Sequence, residues 1–290
     1  MWVLCTLAAA ALQTARNATQ AGLVARLGTL GATQVRFLYG LPFALVLLGL
    51  AALVAGPVPG LTLRALGFAA LGALAQIAAT ALMLAAMRDR GFAAATALIK
   101  VEPVLLALIG WAVLGDRLGP VQALAILTAT AGTLVLSLVP GQRLAGRAVA
   151  MALAAALGFG LSAVGFRGAI LALPEGGVWV RATTILALSL GVQSATLGLW
   201  LWLTDRAALV GSLSAWRAST AAGVLGAGAS QSWFLGFALT SAANVRTLAL
   251  VEILMARIVA GRLFAERGGW REGVGMALIG AGVGALLLAG

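Results

Sequence analysis

Two glutamates stand where a carboxylate is hardest to keep. Glu102 lies inside the apolar run TALIKVEPVLLALIGWAVL, and Glu252 lies inside TLALVEILMARIVA, 150 positions later. An acid in the middle of a lipid-embedded helix costs about 3 kcal/mol, so one at matching places in both halves calls for a reason. Such a group can take up and release a proton, or it can neutralise a buried Arg or Lys. Both glutamates are therefore candidates for proton coupling, with charge neutralisation as the competing reading. Cations also interrupt apolar stretches, at Arg16, Lys100, Arg167, Arg246 and Arg257. They outnumber the two acids, and a positive interior attracts a carboxylate or phosphate, which arginine grips with two parallel hydrogen bonds.

Neutral hydrogen-bonding groups accompany these charges. Gln13, Arg16, Asn17 and Gln20 follow i, i+3, i+4, i+7 spacing, so a helix would present them on one face. Gln76 and Thr80 share another face. Gln231 sits in the Ser230-Gln231-Ser232 cluster and aligns with Gln76 after a short shift. Asn244 lies just before Arg246. Lys100 and Glu102 project about 200° apart on a straight helix and are not side by side. Gln13, Arg16, Asn17, Gln76, Lys100, Gln231 and Arg246 are thus the candidate substrate-binding residues. Polar groups can equally serve only to join helices.

Other chemistries are excluded. With no His and a single Cys (Cys5), the chain has no His/Cys metal cluster and no disulfide framework. No nucleophile-and-base arrangement stands out, so no catalytic residue, metal or cofactor is expected, and the chain is not read as an enzyme. The net charge of +11 contains no dense basic run, which argues against nucleic acid.

The elements that must position these residues are membrane helices. The chain of 290 residues is 62% hydrophobic and only 9% charged, where soluble domains carry about 25% charged residues. A crossing helix needs about 20 mostly apolar residues. Ten such spans fit, near 2–25, 32–54, 63–87, 91–114, 119–139, 148–172, 178–203, 215–239, 241–264 and 270–289. Breakers and charges separate them, at Arg26 to Gly31, Gly56 to Gly60, Arg88 to Arg90, Pro140-Gly141, Pro174 to Gly177 and Asp205-Arg206. Pro42 should kink the second span. Tryptophan concentrates at membrane interfaces. Trp2, Trp111, Trp179, Trp200, Trp202, Trp216 and Trp270 fall near span ends, while Trp233 alone sits inside one.

The chain reads as a duplication. Shifted by 150 positions, Glu102 falls on Glu252, Asp116-Arg117 on Glu266-Arg267, Gly119 on Gly269 and Ala131-Gly132 on Ala281-Gly282. Five spans in 1–140 and five in 146–290 make two repeats. An odd number of spans makes the second repeat cross in the opposite sense, the plan in which a substrate site lies near the midplane between repeats. The expected fold class is an all-α integral membrane protein of ten helices in two inverted five-helix repeats. Glycines at 158, 160, 165 and 168, and again at 273, 275, 280, 282 and 284, favour close helix packing. Gly280 to Gly284 is a GxxxG spacing, a candidate homodimer face.

The stretch EPVLLALIGWAVLGDRLGPVQALAILTATAGTLVL resembles the repeat signature of the drug/metabolite transporter superfamily, in its ten-helix EamA-type form. The matching parts are Pro103, Gly110, Gly115-Asp116-Arg117-Leu118 and Gly132. The second copy keeps Glu266-Arg267 and Gly282, but has Ile253 where the family has a proline. The resemblance implies a transporter of a small molecule, with spans 1, 3, 4, 6, 8 and 9 around a central cavity. Members carry amino acids, nucleotide sugars, phosphorylated sugars, choline-like cations or drugs. Gln13-Thr14-Ala15-Arg16-Asn17 replaces the Trp-containing pattern of amino-acid exporters, which speaks against an aromatic amino acid.

The expectation is a secondary transporter, an exporter of small anionic or zwitterionic metabolites, working by alternating access in the cell inner (plasma) membrane. A lipid-phosphate flippase, a channel and a non-transporting scaffold are the rivals. The N-terminal apolar run has no basic residue before it, which argues against a cleaved secretory signal. Arginines favour the side of loops 1–2, 3–4, 5–6, 7–8 and 9–10, which by the positive-inside rule would put both termini outside. The family resemblance implies cytoplasmic termini, and the sequence leaves the two open.

Overall fold

The computed structural model describes residues 1–88, 98–137, 146–255 and 269–289, with the side chains at positions 17, 18, 20–26, 29, 84, 87, 88 and 218 excepted. Among the described residues the chain is helical and contains no strand. The helices are α1 (Trp2–Ala55), α2 (Leu63–Arg88), α3 (Glu102–Leu114), α4 (Pro120–Ser137), α5 (Gly146–Leu171), α6 (Val178–Thr204), α7 (Arg206–Ser214), α8 (Trp216–Leu239), α9 (Ala242–Leu248) and α10 (Trp270–Ala289). Arg257 and the Glu266-Arg267 turn lie outside the described residues, as does the side chain of Asn17.

The 54 residues of α1 would run about 80 Å as one rod, far more than a bilayer core of about 30 Å. They do not form one rod. Gly28 has φ 66° and ψ 179°, a conformation open to glycine and strained for other residues, and it splits α1 into two limbs. The break falls inside the separator expected from sequence. Dihedrals stay helical through Pro42, and Gly28 is the non-helical position in α1.

Six helices among the described residues are long and apolar enough to cross a membrane: Leu30–Ala55, Leu63–Met83, Pro120–Ser137, Gly146–Leu171, Val178–Thr204 and Trp270–Ala289. Glu102–Leu114 is a shorter apolar helix. The other expected spans fall short for physical reasons or by description. α8 is 24 residues long but carries Ser230-Gln231-Ser232 at its centre. The fourth and ninth expected spans are both interrupted, parts of these two lie outside the described residues, and several side chains of the first are excepted.

The interruptions are alike. Leu98 and Ile99 are helical, Lys100 and Val101 form a turn, and the helix restarts at Glu102. Pro103 has no N–H to offer the preceding turn, but in the first turn of a new helix that donor is not needed. In the second copy α9 ends at Leu248, Ala249 and Leu250 turn, and helix resumes at Val251. Here Ile253 has an N–H, and the backbone still tightens to i→i−3 bonds: Leu250 to Thr247 (3.1 Å), Glu252 to Ala249 (3.0 Å) and Ile253 to Leu250 (3.0 Å). Such tightening inside a helix marks a weak point in its ladder.

α3 ends in a left-handed cap. Gly115 has φ 69° and gives its N–H to Trp111 O (3.2 Å), while Asp116 N–H reaches Gly110 O (3.1 Å). This is a Schellman-type stop, and it accounts for the Gly-Asp turn of the signature. Gly110 is needed because the Asp116 carboxylate folds over it, 3.1 Å from where a Cβ would stand.

Contacts divide the chain into two compact units, Met1–Ile77 with Gly165–Leu239, and Ala78–Val164 with Thr240–Gly290. Each draws on both halves of the sequence. In the first unit α1 packs against α8, α6 and α7. In the second, α4 packs along α10, and α9 against α3 and α4. A Cβ on Gly132 would stand 2.7 Å from the nitrogen of Ile279 and 2.8 Å from the oxygen of Gly275. A Cβ on Gly282 would stand 2.6 Å from the nitrogen of Ala129 and 2.7 Å from the oxygen of Ala125. Adding 150 to Gly132, Ala129 and Ala125 gives Gly282, Ile279 and Gly275, so the contact is reciprocal under the sequence shift. Gly273, Gly280 and Gly284 meet open space instead.

This contact predicts opposite outcomes for glycines on one helix. Gly282→Ala and Gly132→Ala force two backbones apart and should each cost about 1–3 kcal/mol. Gly280→Ala should leave stability unchanged or raise it slightly. Thermal unfolding of the purified protein in detergent measures the difference, and equal melting temperatures for G282A and G280A would contradict the packing.

Candidate functional site

The candidate residues fall into a cluster in each unit. In the first, α1 and α8 meet through polar groups. Trp233, the tryptophan placed inside a span by the sequence, is 5% exposed and donates its indole N–H to Gln13 Oε1 at 3.2 Å. Gly226 lies seven residues earlier on α8, hence on the same face. It leaves room for Arg16, whose Cδ is 3.3 Å from where a glycine Cβ would stand. Arg16 is buried at 5% exposure, so this cation does not reach out to solvent. Beside Trp233 the rings of Phe237, Phe234 and Phe166 follow at centroid distances of 6.3, 6.4 and 4.7 Å.

Both glutamines expected to face a site are held by α6. Gln193 Nε2 donates to Gln76 Oε1 at 2.6 Å, and Gln231 Nε2 donates to Thr183 Oγ1 at 2.9 Å. Gln193 and Thr183 were not among the sequence candidates. The signal was present: a glutamine in the middle of an apolar span needs a buried partner, because an amide without one costs several kcal/mol in such surroundings. Gln231 Oε1 remains a buried acceptor without a hydrogen bond. Arg167 Nη1 donates to the carbonyl of Phe237, near the C-terminal end of α8. It satisfies a helix-end carbonyl and complements the dipole there.

In the second unit the interrupted helices face each other through charge. Arg246 Nε lies 3.2 Å from Glu102 Oε1, with the side chains 19% and 14% exposed. Glu102 stands in the first turn of α3, where the helix dipole also favours a carboxylate. Arg246 stands in the last turn of α9, where the dipole favours a cation. Asn244, 5% exposed, donates to Thr240 Oγ1 at 3.1 Å, and its Oδ1 is buried without a hydrogen bond. Lys100 lies half-buried in the turn before Glu102, and Glu252 is half-buried in the turn following the second interruption. Among the described residues no group of three or more His, Cys, Asp or Glu could hold a metal ion.

Residues 1–138 match the model of the EamA-like transporter family. A solved structure, described only as the crystal structure of a protein, superposes with a TM-score of 0.73 at 18% identity, covering 99% of this chain and 97% of its own. The likeness to that family covers just under half of the chain, and the structural likeness shows the fold. A search of curated proteins finds no match. The matched family is one of transporters, and six helices among the described residues are long and apolar enough to cross a membrane.

The Glu102–Arg246 pair couples two broken helices. Glu102→Gln or Arg246→Gln leaves one mostly buried charge without its counter-ion, which costs about 3 kcal/mol. The exchange Glu102→Arg with Arg246→Glu restores opposite charges, though against both helix dipoles, and should recover part of the loss. Thermal unfolding across this double-mutant cycle is the measurement. Purely additive losses would show that the pair contributes nothing as a pair.

Proposed function

We propose that the protein is a transporter of the drug/metabolite transporter superfamily, and that it exports small anionic or zwitterionic metabolites, such as amino acids or organic acids, by alternating access of two inverted five-helix repeats in the inner membrane. The observation that carries the substrate class is buried Arg16, on the helical face of Gln13 and opposite Gly226 and Trp233. A permanent cation is costly away from water, and a carboxylate or phosphate in the substrate gives it a use. Amide, hydroxyl and indole groups nearby suit a polar but compact metabolite. The charge argument is carried by the buried cation Arg16 and by half-buried Lys100; Arg246 also meets Glu102, and Arg167 also meets a backbone carbonyl.

The reciprocal contact of α4 and α10 supports the inverted repeat. Residues 125, 129, 132 and 136 meet 282, 279 and 275 in descending order, so the helices run antiparallel. A two-fold operation that exchanges antiparallel helices has its axis across them, which for membrane spans means in the membrane plane. The interruptions at 100–101 and 249–250 fall within one residue of the same shift.

For coupling, Glu102 and Glu252 carry the proton. When Glu102 takes a proton it loses its attraction for Arg246, and a substrate carboxylate can replace it there. Proton and anion would then move as one exchange cycle. Glu252 holds the corresponding place in the second repeat.

Counterflow in proteoliposomes tests both parts. Vesicles loaded with unlabelled amino acids, organic acids and sugar phosphates should take up one labelled class saturably. Arg16→Ala and Lys100→Ala should each reduce that uptake at least tenfold in correctly folded protein. Glu102→Gln together with Glu252→Gln should retain exchange but lose its response to a pH gradient. Uptake of cationic substrates alone would overturn the substrate class, and an undiminished pH response in the double variant would overturn the coupling.

A further inference from the structure

Between α6 and α8 the chain does not turn directly. It forms α7, nine residues and about 14 Å long, too short to cross the hydrocarbon. The helix is built to stay in place. Asp205 caps its start, its carboxylate accepting the Ala208 N–H at 2.9 Å. Its end is held by Tyr39, whose hydroxyl donates to the carbonyls of Ser212 (3.2 Å) and Leu213 (2.8 Å). Its middle rests on the Gly28 turn of α1, where Leu27 comes within 3.0 Å of a Cβ position on Gly211.

The outward side carries two kinds of group. Val210 is 63% exposed, and Trp200, Trp202 and Trp216 are each about half exposed. Arginines sit over two of these rings. The Arg206 guanidinium is 5.2 Å from the Trp202 ring centroid and donates Nε–H to Trp202 O at 3.2 Å. The Arg217 guanidinium is 5.1 Å from the Trp216 centroid. Asp205, the one acid from 199 to 217, is engaged as the cap, so the patch is net positive. Exposed tryptophan beside arginine suits the headgroup layer, with rings at the hydrocarbon edge and cations at the phosphates.

The position agrees with this chemistry. The α6–α8 connection and the Gly28 turn are in contact, and on the ten-span plan both lie on the arginine-rich side. The positive-inside rule would turn that side to the cytoplasm and the family resemblance would turn it outward; in either case a leaflet with acidic lipids attracts basic segments, by about 1 kcal/mol per residue. The matching connection in the first half, residues 56–62, has no helix, no Trp and no Arg. The feature belongs to one leaflet.

We propose that α7 is an interfacial anchor, lying in the headgroup layer on Val210 and the three tryptophans, and that Arg206 and Arg217 form a binding site for acidic phospholipid headgroups. The ring and carbonyl contacts hold the guanidiniums in place, which lowers the entropy lost on binding a phosphate.

The test uses the full chain with Cys5→Ser and Val210→Cys, labelled with an environment-sensitive fluorophore and placed in phosphatidylcholine nanodiscs. A small fraction of spin-labelled phosphatidylglycerol should quench the probe at least twofold more than the same fraction of spin-labelled phosphatidylcholine. Arg206→Gln with Arg217→Gln should abolish that preference while quenching by phosphatidylcholine persists. Arg206→Lys with Arg217→Lys, a folding control that keeps the charge, should retain part of the preference. Equal quenching by both lipids in the unaltered arginine background overturns the headgroup site. Water-like emission with no quenching by either lipid overturns the anchor and points to a protein partner for α7.

Discussion

Inside a bilayer no water is present to complete a hydrogen bond or solvate a charge, so every departure from helix geometry must be met by the protein itself. The turns at 100–101 and 249–250 are two such departures, each placed in an otherwise apolar segment. Short i→i−3 bonds recover part of the backbone pairing. An acid follows each turn, and at Glu102 one carboxylate meets two demands. It lies at the positive end of the restarted helix, and it lies 3.2 Å from Arg246 at the negative end of α9. Helix dipoles and ion pair thus reinforce one another, which is why a charge pair can be kept there at all.

The first unit meets the same problem with neutral pairs. Its buried polar groups are amides, hydroxyls and an indole, joined as Gln13 with Trp233, Gln76 with Gln193 and Gln231 with Thr183. Neutral pairs cost less to bury than charges, and each holds two helices in register. Arg16 adds a buried charge to these groups. Gly226 makes space for its stem, and no smaller residue exists to make more. A helix face shaped around a buried guanidinium is more specific than one that merely tolerates it.

Much of this was legible in the sequence, because the residues concerned are expensive in lipid and therefore informative. Membrane class, helical composition and the family signature follow from composition and from the Pro103 to Gly132 stretch. The Gly115 turn is a local signal, and the backbone uses it as a helix stop. What the sequence could not supply was partnership across distance. Arg246 and Glu102 are 144 positions apart, and Gln193 and Gln76 are 117 apart, so only the packed helices bring them together. The break at 249–250 was hidden for a different reason. Sequence reasoning expects a proline at a helix break, and Ile253 stands where that proline would be.

That missing proline belongs to a wider asymmetry between the halves. Under the shift of 150, Glu102 matches Glu252, but Arg246 matches Thr96, Lys100 matches Leu250 and Pro103 matches Ile253. Scaffold positions behave otherwise: Gly132 and Gly282 are kept, and their contacts are reciprocal. Packing between two copies of one element is self-consistent, since a small residue useful on one side is useful on the other. Ligand recognition has no such requirement. An amino acid, one of the proposed substrates, has no two-fold symmetry, and a site with equal cations from both halves would carry more charge than its single carboxylate neutralises. On the proposed function, kept glycines beside altered cations are what a duplicated scaffold acquires when it comes to hold an asymmetric substrate.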